Sequence, residues 1–214
     1  MPVTEHPMQA LESYLPDNTF QPVIQYIHRY KVHLTVTKKR KSVLGDYRHS
    51  GMLGDNHRIS INGNLNKYEF LITLLHELAH LLTYEQYKNK VEPHGKEWKN
   101  HYSRLLVDFV QSKVFPENIE KALQKSILNP AATANGETDL MLVLRSYNIT
   151  QKVGFVPISQ LPDAGLFTTE DGRVFKKIGK RTKRYQCLEV TTGRHYIFSA
   201  LSEVKPIVDQ TQFN

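Results

Sequence analysis

Two histidines and a glutamate stand in one short segment whose spacing suits a metal ion. His76 and His80 are four residues apart, so on a helix they share a face about one turn apart and can reach one ion. Glu77 follows His76 directly, where its carboxylate can take a proton from a water molecule beside the metal. Imidazole nitrogens suit zinc, and three protein ligands leave a fourth position open for water. The segment predicts a site for one Zn2+ ion with Glu77 as general base.

A third ligand has to come from outside this helix, and we expect it to be His94. It stands at the end of the loop that follows the helix, and Gly95 permits a tight entry into the next helix. His101, seven residues on, and the carboxylates of Glu92 and Glu97 are the alternatives. The same pattern also occurs by chance in proteins whose histidines bind no metal. That explanation is less favourable here, because burying two histidines and a glutamate on a helix costs free energy unless a metal or a cleft serves them.

The elements that must position these residues can be read from the apolar pattern. Residues 20–31 have helical spacing, whereas alternation from His33, at residues 47–49 and at residues 58–62 predicts three short strands joined by turns at 45–46 and 51–56. We expect these strands to form an antiparallel meander. Asn66 is a suitable N-cap for the metal helix, with Glu69 three positions on. Further helices are expected at 96–114 and 117–128.

The division of the chain follows from changes in composition. Residues 1–19 are an N-terminal extension, 20–128 a catalytic domain, 129–138 a linker rich in small and polar residues, and 139–214 a basic, mostly β module. The predicted fold class is therefore α+β. A helix, a three-stranded antiparallel sheet, the metal helix and later helices form the first domain.

These motifs resemble those of the SprT and Spartan-like metallopeptidases. The resemblance lies in the sequence of residues 76–80, in His94-Gly95-Lys96-Glu97-Trp98-Lys99, and in the order of elements before them, and it covers about residues 20–115. It implies a small zincin-like fold, zinc bound by the three histidines, Glu77 as catalytic base, and a protein or peptide substrate. Eukaryotic members cleave proteins crosslinked to DNA, so the resemblance also implies DNA as a partner.

The C-terminal module departs from the family pattern. Many relatives carry a zinc ribbon built on paired cysteines, whereas Cys187 is the only cysteine of this chain, so no second zinc can be bound there by cysteines. The stretches at 175–177, 180–187 and 192–194 resemble the last hairpin of that ribbon, and seven Lys or Arg lie between residues 173 and 184. Basic runs favour a nucleic-acid backbone, although exposed hairpins also carry them as a solvated face that guards edge strands. The nucleic-acid candidates are Lys38, Lys39, Arg40, Lys176, Lys177, Lys180, Arg181, Lys183 and Arg184.

Bulk properties set wide bounds on function. The 214 residues carry a net charge of +7, which favours anionic partners without requiring them. A single cysteine fits a reducing cytoplasm, and we expect no signal peptide and no membrane-spanning segment. Tyr84, Tyr87, His101 and Tyr102 are candidates for stabilising an oxyanion.

Three functions fit these observations. The first is a zinc metallopeptidase, which acts on DNA-associated proteins if the resemblance extends to the substrate. The second is a nucleic-acid-associated binding protein whose zinc site is structural or vestigial. The third is a zinc hydrolase of a non-peptide substrate. Conversion of Glu77 to glutamine separates the first from the second, because a structural site does not need the base.

Overall fold

The computed structural model describes residues 8–40, 43–49, 56–131, 137–148 and 152–207. Several sequence predictions lie outside these ranges: the first seven residues of the N-terminal extension, Lys41 of the basic run, the turn at 51–55 and the linker at 132–136. The chain separates into two compact units, Met1–Asn148 and Ile149–Asn214. Within the described residues, the molecule is a mixed helix and sheet protein.

The first unit holds five α-helices and three strands among its described residues. A short 3-10 helix at Gln9–Tyr14 precedes them, within the segment predicted to be an irregular extension. The elements are α1 (Phe20–Arg29), β1 (His33–Thr37), β2 (Gly45–Arg48), β3 (Arg58–Asn62), α2 (Lys67–Tyr87), α3 (Lys96–Gln111), α4 (Glu117–Leu128) and α5 (Thr138–Arg145). The bounds of α4 and β3 are those expected from the sequence.

The three-stranded sheet differs from the predicted meander. Its strand order is β1-β3-β2, with β1 parallel to β3 and β2 antiparallel to β3. The prediction of an antiparallel sheet was therefore wrong for one of its two pairings. Strand β3 takes the centre because Ile59 and Ile61 are both fully buried there, whereas alternation alone does not specify a strand's neighbours. The predicted turn at Gly45 and Asp46 is the start of β2.

Helix α2 is the buried axis of the first unit. Asn66 is its N-cap, and the side chain of Asn66 accepts a hydrogen bond of 3.0 Å from the backbone N–H of Glu69. Leu71, Leu74, Leu75 and other apolar residues around the helix are fully buried, as expected for a helix packed on several sides. Helix α3 buries the five residues predicted for its inner stripe: Trp98, Tyr102, Leu105, Leu106 and Phe109.

Helix α5 moves the boundary between the two units. The sequence prediction began the second domain at residue 139, but Leu140, Met141 and Leu144 are buried in the first unit. The side-chain amide of Asn66 also donates to the carbonyl of Leu144 at 2.8 Å. The boundary falls after Asn148, because these apolar residues form a helix that packs on α4 instead of beginning a sheet.

The second unit is built on one sheet. Its strands are β4 (Val156–Pro157), β5 (Leu166–Thr168), β6 (Val174–Lys180), β7 (Arg184–Glu189), β8 (His195–Ser199) and β9 (Glu203–Pro206), in the order β4-β9-β5-β6-β7-β8. A buried cluster that includes Phe167, Phe175, Cys187 and Val204 forms its core. The pKa of the Cys187 thiol is raised by burial to about 11, so the thiol stays protonated and unreactive.

Candidate metal centre

Three histidines come together where α2 meets the start of α3. One ring nitrogen from each of His76, His80 and His94 lies within 4.8 Å of the others, and the ring centroids are 4.6 to 5.5 Å apart. His76 and His80 share a face of α2, and His94 lies in the turn closed by the bond from the Gly95 N–H to the carbonyl of Glu92. The set could hold one metal ion.

Gly95 begins α3 at a crowded position. Its φ is −71°, which any residue can adopt, so the requirement is for space and not for backbone freedom. A Cβ there would lie 3.2 Å from both the Cβ and the carbonyl oxygen of Glu92. A glycine lets the chain turn directly from His94 into the helix.

The charge state of the ligands suits a metal. Burial, followed by the nearby His80 and His94 rings, lowers the pKa of His76 to about 3. Burial, followed by the His94 ring, lowers the pKa of His80 to about 4, and burial also lowers the pKa of His94. All three imidazoles are therefore neutral near pH 7, as metal coordination requires.

A buried nitrogen supports this fit. Nε2 of His94 is buried and has no hydrogen-bond partner among the described residues. Such a lone pair or N–H is unfavourable inside a protein unless something else satisfies it. A metal ion among three imidazoles could satisfy it, and zinc is among the ions that imidazole donors suit.

Glu77 lies beside the ligands and against the backbone of β2. Its side chain is 6% exposed. Burial, followed by the nearby carboxylate of Asp46, raises the pKa of Glu77 to about 8, although Arg40 opposes the shift. With this pKa the carboxyl is largely protonated near pH 7 in the metal-free protein, and the charge of a bound metal ion would lower its pKa toward the ionised form that a general base needs.

The rival ligands lie elsewhere. Nε2 of His101 is 3.1 Å from the side-chain oxygen of Gln86, Glu92 is exposed, and the group of three histidines contains neither of them nor Glu97. Of the oxyanion candidates, Tyr102 has its ring 5.5 Å from that of His76. Tyr84 instead stacks on His49, 4.4 Å away.

Tyr47 on β2 is a neighbour of the site that sequence reasoning missed. Its ring lies parallel to that of His80 at 6.4 Å. Its hydroxyl is 3.0 Å from Nδ1 of buried His57, whose Nε2 is 3.3 Å from the Glu85 carboxylate. Glu85 favours the Nε2–H tautomer, which leaves Nδ1 to accept from Tyr47. No local signal identifies Tyr47, because it is 33 residues before His80.

Some of the nucleic-acid candidates are exposed, and others are engaged in hydrogen bonds within the protein. Lys38 and Lys39 are exposed, whereas the guanidinium of Arg40 donates to the side chains of Asn62 and Ser60 and to the backbone of Leu44. Arg40 therefore holds the end of β1 against β3.

Lys177 in the second unit is an internal residue. It is 3% exposed, and its ammonium donates to the carbonyl of Leu161 and lies 3.3 Å from Asp163 and 4.3 Å from the centre of the Tyr185 ring. The prediction that Lys177 contacts nucleic acid does not fit this burial. The candidates that remain exposed on β6, β7 and their connection are Lys176, Lys180, Arg181, Lys183 and Arg184.

Comparison with known proteins gives one match. The model of the SprT-like family matches residues 9–118, a range that contains the three histidines and Glu77. Neither the curated proteins nor the solved structures contain a match. In the described part of the chain, no helix has the length and apolar character needed to span a membrane.

Proposed function

The chain belongs to the SprT-like family, and on this premise we propose that it is a zinc-dependent metalloendopeptidase. The observation that carries the proposal is the group of three neutral imidazoles with Glu77 beside it. His76, His80 and His94 would hold the zinc ion, leaving a fourth coordination position for the reaction. When bound, zinc supplies Lewis acidity, which polarises the scissile carbonyl and lowers the pKa of water.

Glu77 performs the proton transfers of the proposed reaction. It accepts a proton from the attacking water and later passes it to the nitrogen of the leaving amine. The backbone of β2 at Gly45 fixes the carboxylate from one side.

The proposal is tested by conversion of Glu77 to glutamine. Wild-type protein loaded with zinc is expected to cleave an unfolded protein or a peptide library. Glu77→Gln keeps the size of the side chain and removes the base, so cleavage is lost while the zinc content stays the same. Glu69→Gln is a matched control, since Glu69 is a buried acid at the start of the same helix. Zinc-loaded wild-type protein that cleaves nothing would contradict the proposal.

Proteins associated with DNA are the substrate class that we propose. The family resemblance and the exposed Lys180, Arg181, Lys183 and Arg184 on and between β6 and β7 support it, because clustered cations gain affinity by releasing counterions from a nucleic acid. Replacing these four residues by alanine is expected to weaken DNA binding and to reduce the slope of log K against log salt concentration by about 0.9 for each phosphate that the variant no longer neutralises. Lys121→Ala is the control, because Lys121 is an exposed lysine on α4 outside the candidate set.

The same experiment separates the alternative function. If zinc-loaded protein binds DNA through these residues but cleaves neither free nor DNA-bound proteins, the chain is a nucleic-acid-associated binding protein with a structural zinc site. If it cleaves peptides with no effect of DNA, the peptidase stands without a DNA-linked substrate. A non-peptide substrate would appear as Glu77-dependent hydrolysis of esters or other amides alone.

A further inference from the structure

One side chain contacts all three predicted ligands. Trp98 is fully buried, and the centroid of its indole lies 4.7 Å from the ring of His76, 5.3 Å from that of His80 and 4.7 Å from that of His94. It stands four residues after His94 on α3, so the helix that begins beside one ligand also brings the indole against the other two. No other ring in the described residues has this relationship to the whole set.

The contact with Trp98 bears on how the three imidazoles are oriented. A metal-binding histidine usually donates its second ring N–H to a carboxylate or carbonyl, which fixes the orientation of the ring. Among the described residues, Nε2 of His94 is buried and has no hydrogen-bond partner. The neighbours of the three imidazoles are rings: Trp98, Tyr102 beside His76, and Tyr47 beside His80. Ring packing can restrain the orientation of the imidazoles, as hydrogen bonds do in other metal sites.

Burial of the Trp98 indole also has an energetic cost, which the contacts of the ring have to offset. Its Nε1–H is buried without a hydrogen-bond partner among the described residues, which is unfavourable compared with an apolar ring. A residue selected only to fill the core would more easily be phenylalanine or leucine. Tyr102 stacks on the indole at 5.1 Å and limits its movement.

We infer that Trp98 is the positioning residue of the metal centre: its indole holds the three imidazoles in the orientation that binds zinc. The inference rests on the proposed zinc site but not on the peptidase activity. It places the role on α3 and makes zinc affinity depend on a side chain that donates no ligand atom.

The first test measures zinc affinity and core stability separately. Trp98→Phe and Trp98→Leu are each compared with wild type by chelator competition and by unfolding of the metal-free protein. Loss of an outer-shell partner typically weakens metal binding by about 10- to 100-fold, and we expect a loss in this range that is larger for leucine than for phenylalanine. Phe109→Leu is the matched control, because Phe109 is buried on the same helix. It should lower stability and leave zinc affinity unchanged.

A spectroscopic readout shows whether the ligand rings have moved. Cobalt replaces zinc in such sites, and its visible absorption depends on ligand geometry. The cobalt bands are expected to change in both Trp98 variants and to stay as in wild type in Phe109→Leu. Unchanged bands together with unchanged zinc affinity in folded Trp98 variants would overturn the inference.

A final measurement needs no substitution and covers the case of variants that do not fold. Trp98 is the only tryptophan of the chain, so incorporation of 5-fluorotryptophan gives a single fluorine resonance. Addition of zinc is expected to shift it, because the ion binds to the three rings that pack against the indole. Zinc binding without any shift would refute the role of Trp98 and leave the peptidase proposal intact. Absence of zinc binding by the wild type would refute both.

Discussion

The backbone of Gly45 on β2 lies directly against the side chain of Glu77. A Cβ at position 45 would be 2.6 Å from Oε1 of Glu77, 2.9 Å from its Cγ and 2.8 Å from Cγ2 of Thr73. Real Cβ atoms do not make such approaches, so any side chain at this position has to displace the glutamate. Because Gly45 has no side chain, the backbone of the edge strand β2 can lie against Glu77 and limit the movement of the proposed base.

Gly45→Ala is expected to lower peptidase activity on the order of 100-fold, because a displacement of about 1 Å at a reacting group can cost that much. Zinc content should stay at the wild-type level, since the three atoms nearest to a Cβ at position 45 belong to Glu77 and Thr73 and not to a histidine. Steady-state cleavage assays and metal analysis measure the two effects. Gly179→Ala is the control: Gly179 also lies in a strand, and a Cβ there meets nothing within 4 Å. Full activity in Gly45→Ala would show that the Glu77 carboxylate is not held by β2.

The stability of the metal-free protein should depend on pH through Glu77. Its pKa in the folded protein is raised to about 8, whereas an unfolded glutamate titrates near ~4.3. Between these values the folded state binds more protons than the unfolded state, so stability falls as pH rises. Glu77→Gln removes this loss. At pH 8 the variant should be more stable than wild type by about 4–5 kcal/mol, and at pH 4 the two should be nearly equal.

Denaturant unfolding in the presence of a chelator, at several pH values, tests this prediction. His76 and His80 act in the opposite direction, because their lowered pKa values of about 3 and about 4 make the fold lose stability as pH falls below ~6.5. That effect is common to wild type and variant and cancels in the difference. A stability difference that is the same at pH 5 and pH 8 would contradict the assignment to Glu77.

Tyr47→Phe should destabilise the protein by about 1–2 kcal/mol, because Nδ1 of His57 then loses the donor it has at 3.0 Å and remains buried without one. A double-mutant cycle with Glu85→Gln measures whether Tyr47, His57 and Glu85 act as one hydrogen-bonded network. The two changes should be less than additive by about 0.5–1 kcal/mol. Tyr84→Phe is the control, since its ring contacts with His49 and His57 remain after loss of the hydroxyl. Strict additivity would mean that Tyr47 and Glu85 act independently.

The parts of the site that could be predicted from sequence are those fixed by local geometry. The spacing of His76 and His80, the N-cap Asn66 and the stripe on α3 depend on helical periodicity, which is a property of neighbouring residues. The position of His94 was also accessible, because a glycine directly after it marks a close turn. Gly45 and Tyr47 were not, since their importance arises from α2, a helix that begins only after the whole of β3.

The error in the sheet topology arises because the partners of a strand are distant in sequence. Alternation shows which residues of a strand share a face, but it does not show that β3 lies between β1 and β2. Lys177 illustrates a second limit. A period of two from Phe175 places it on the inner face of β6, but its charge indicates solvent, and the carbonyl of Leu161 and the ring of Tyr185 that receive it are distant in sequence.

The neighbouring lysines of β6 should respond differently to removal. Lys177→Ala is expected to destabilise the second unit by about 2–3 kcal/mol, because it leaves the Leu161 carbonyl without its charged donor and opens a cavity beside Tyr185. Lys176→Ala should change stability by less than about 0.5 kcal/mol, since Lys176 is exposed. Hydrogen exchange of the β6 and β7 amides reports on this unit by itself. Similar protection in both variants would contradict the buried role of Lys177.

Removal of the third ligand gives the sharpest test of the metal centre. If about 10–16 kcal/mol of zinc binding is shared among four ligands, His94→Ala should weaken zinc binding by on the order of 100- to 1,000-fold. His101→Ala removes the rival histidine, whose Nε2 faces Gln86, and should leave zinc affinity unchanged. Zinc stabilises a protein in proportion to how tightly it binds, so a given concentration of zinc should raise the melting temperature of wild type and His101→Ala more than that of His94→Ala. The opposite pattern would move the third ligand to His101, and with it the open position at which the proposed substrate meets Glu77.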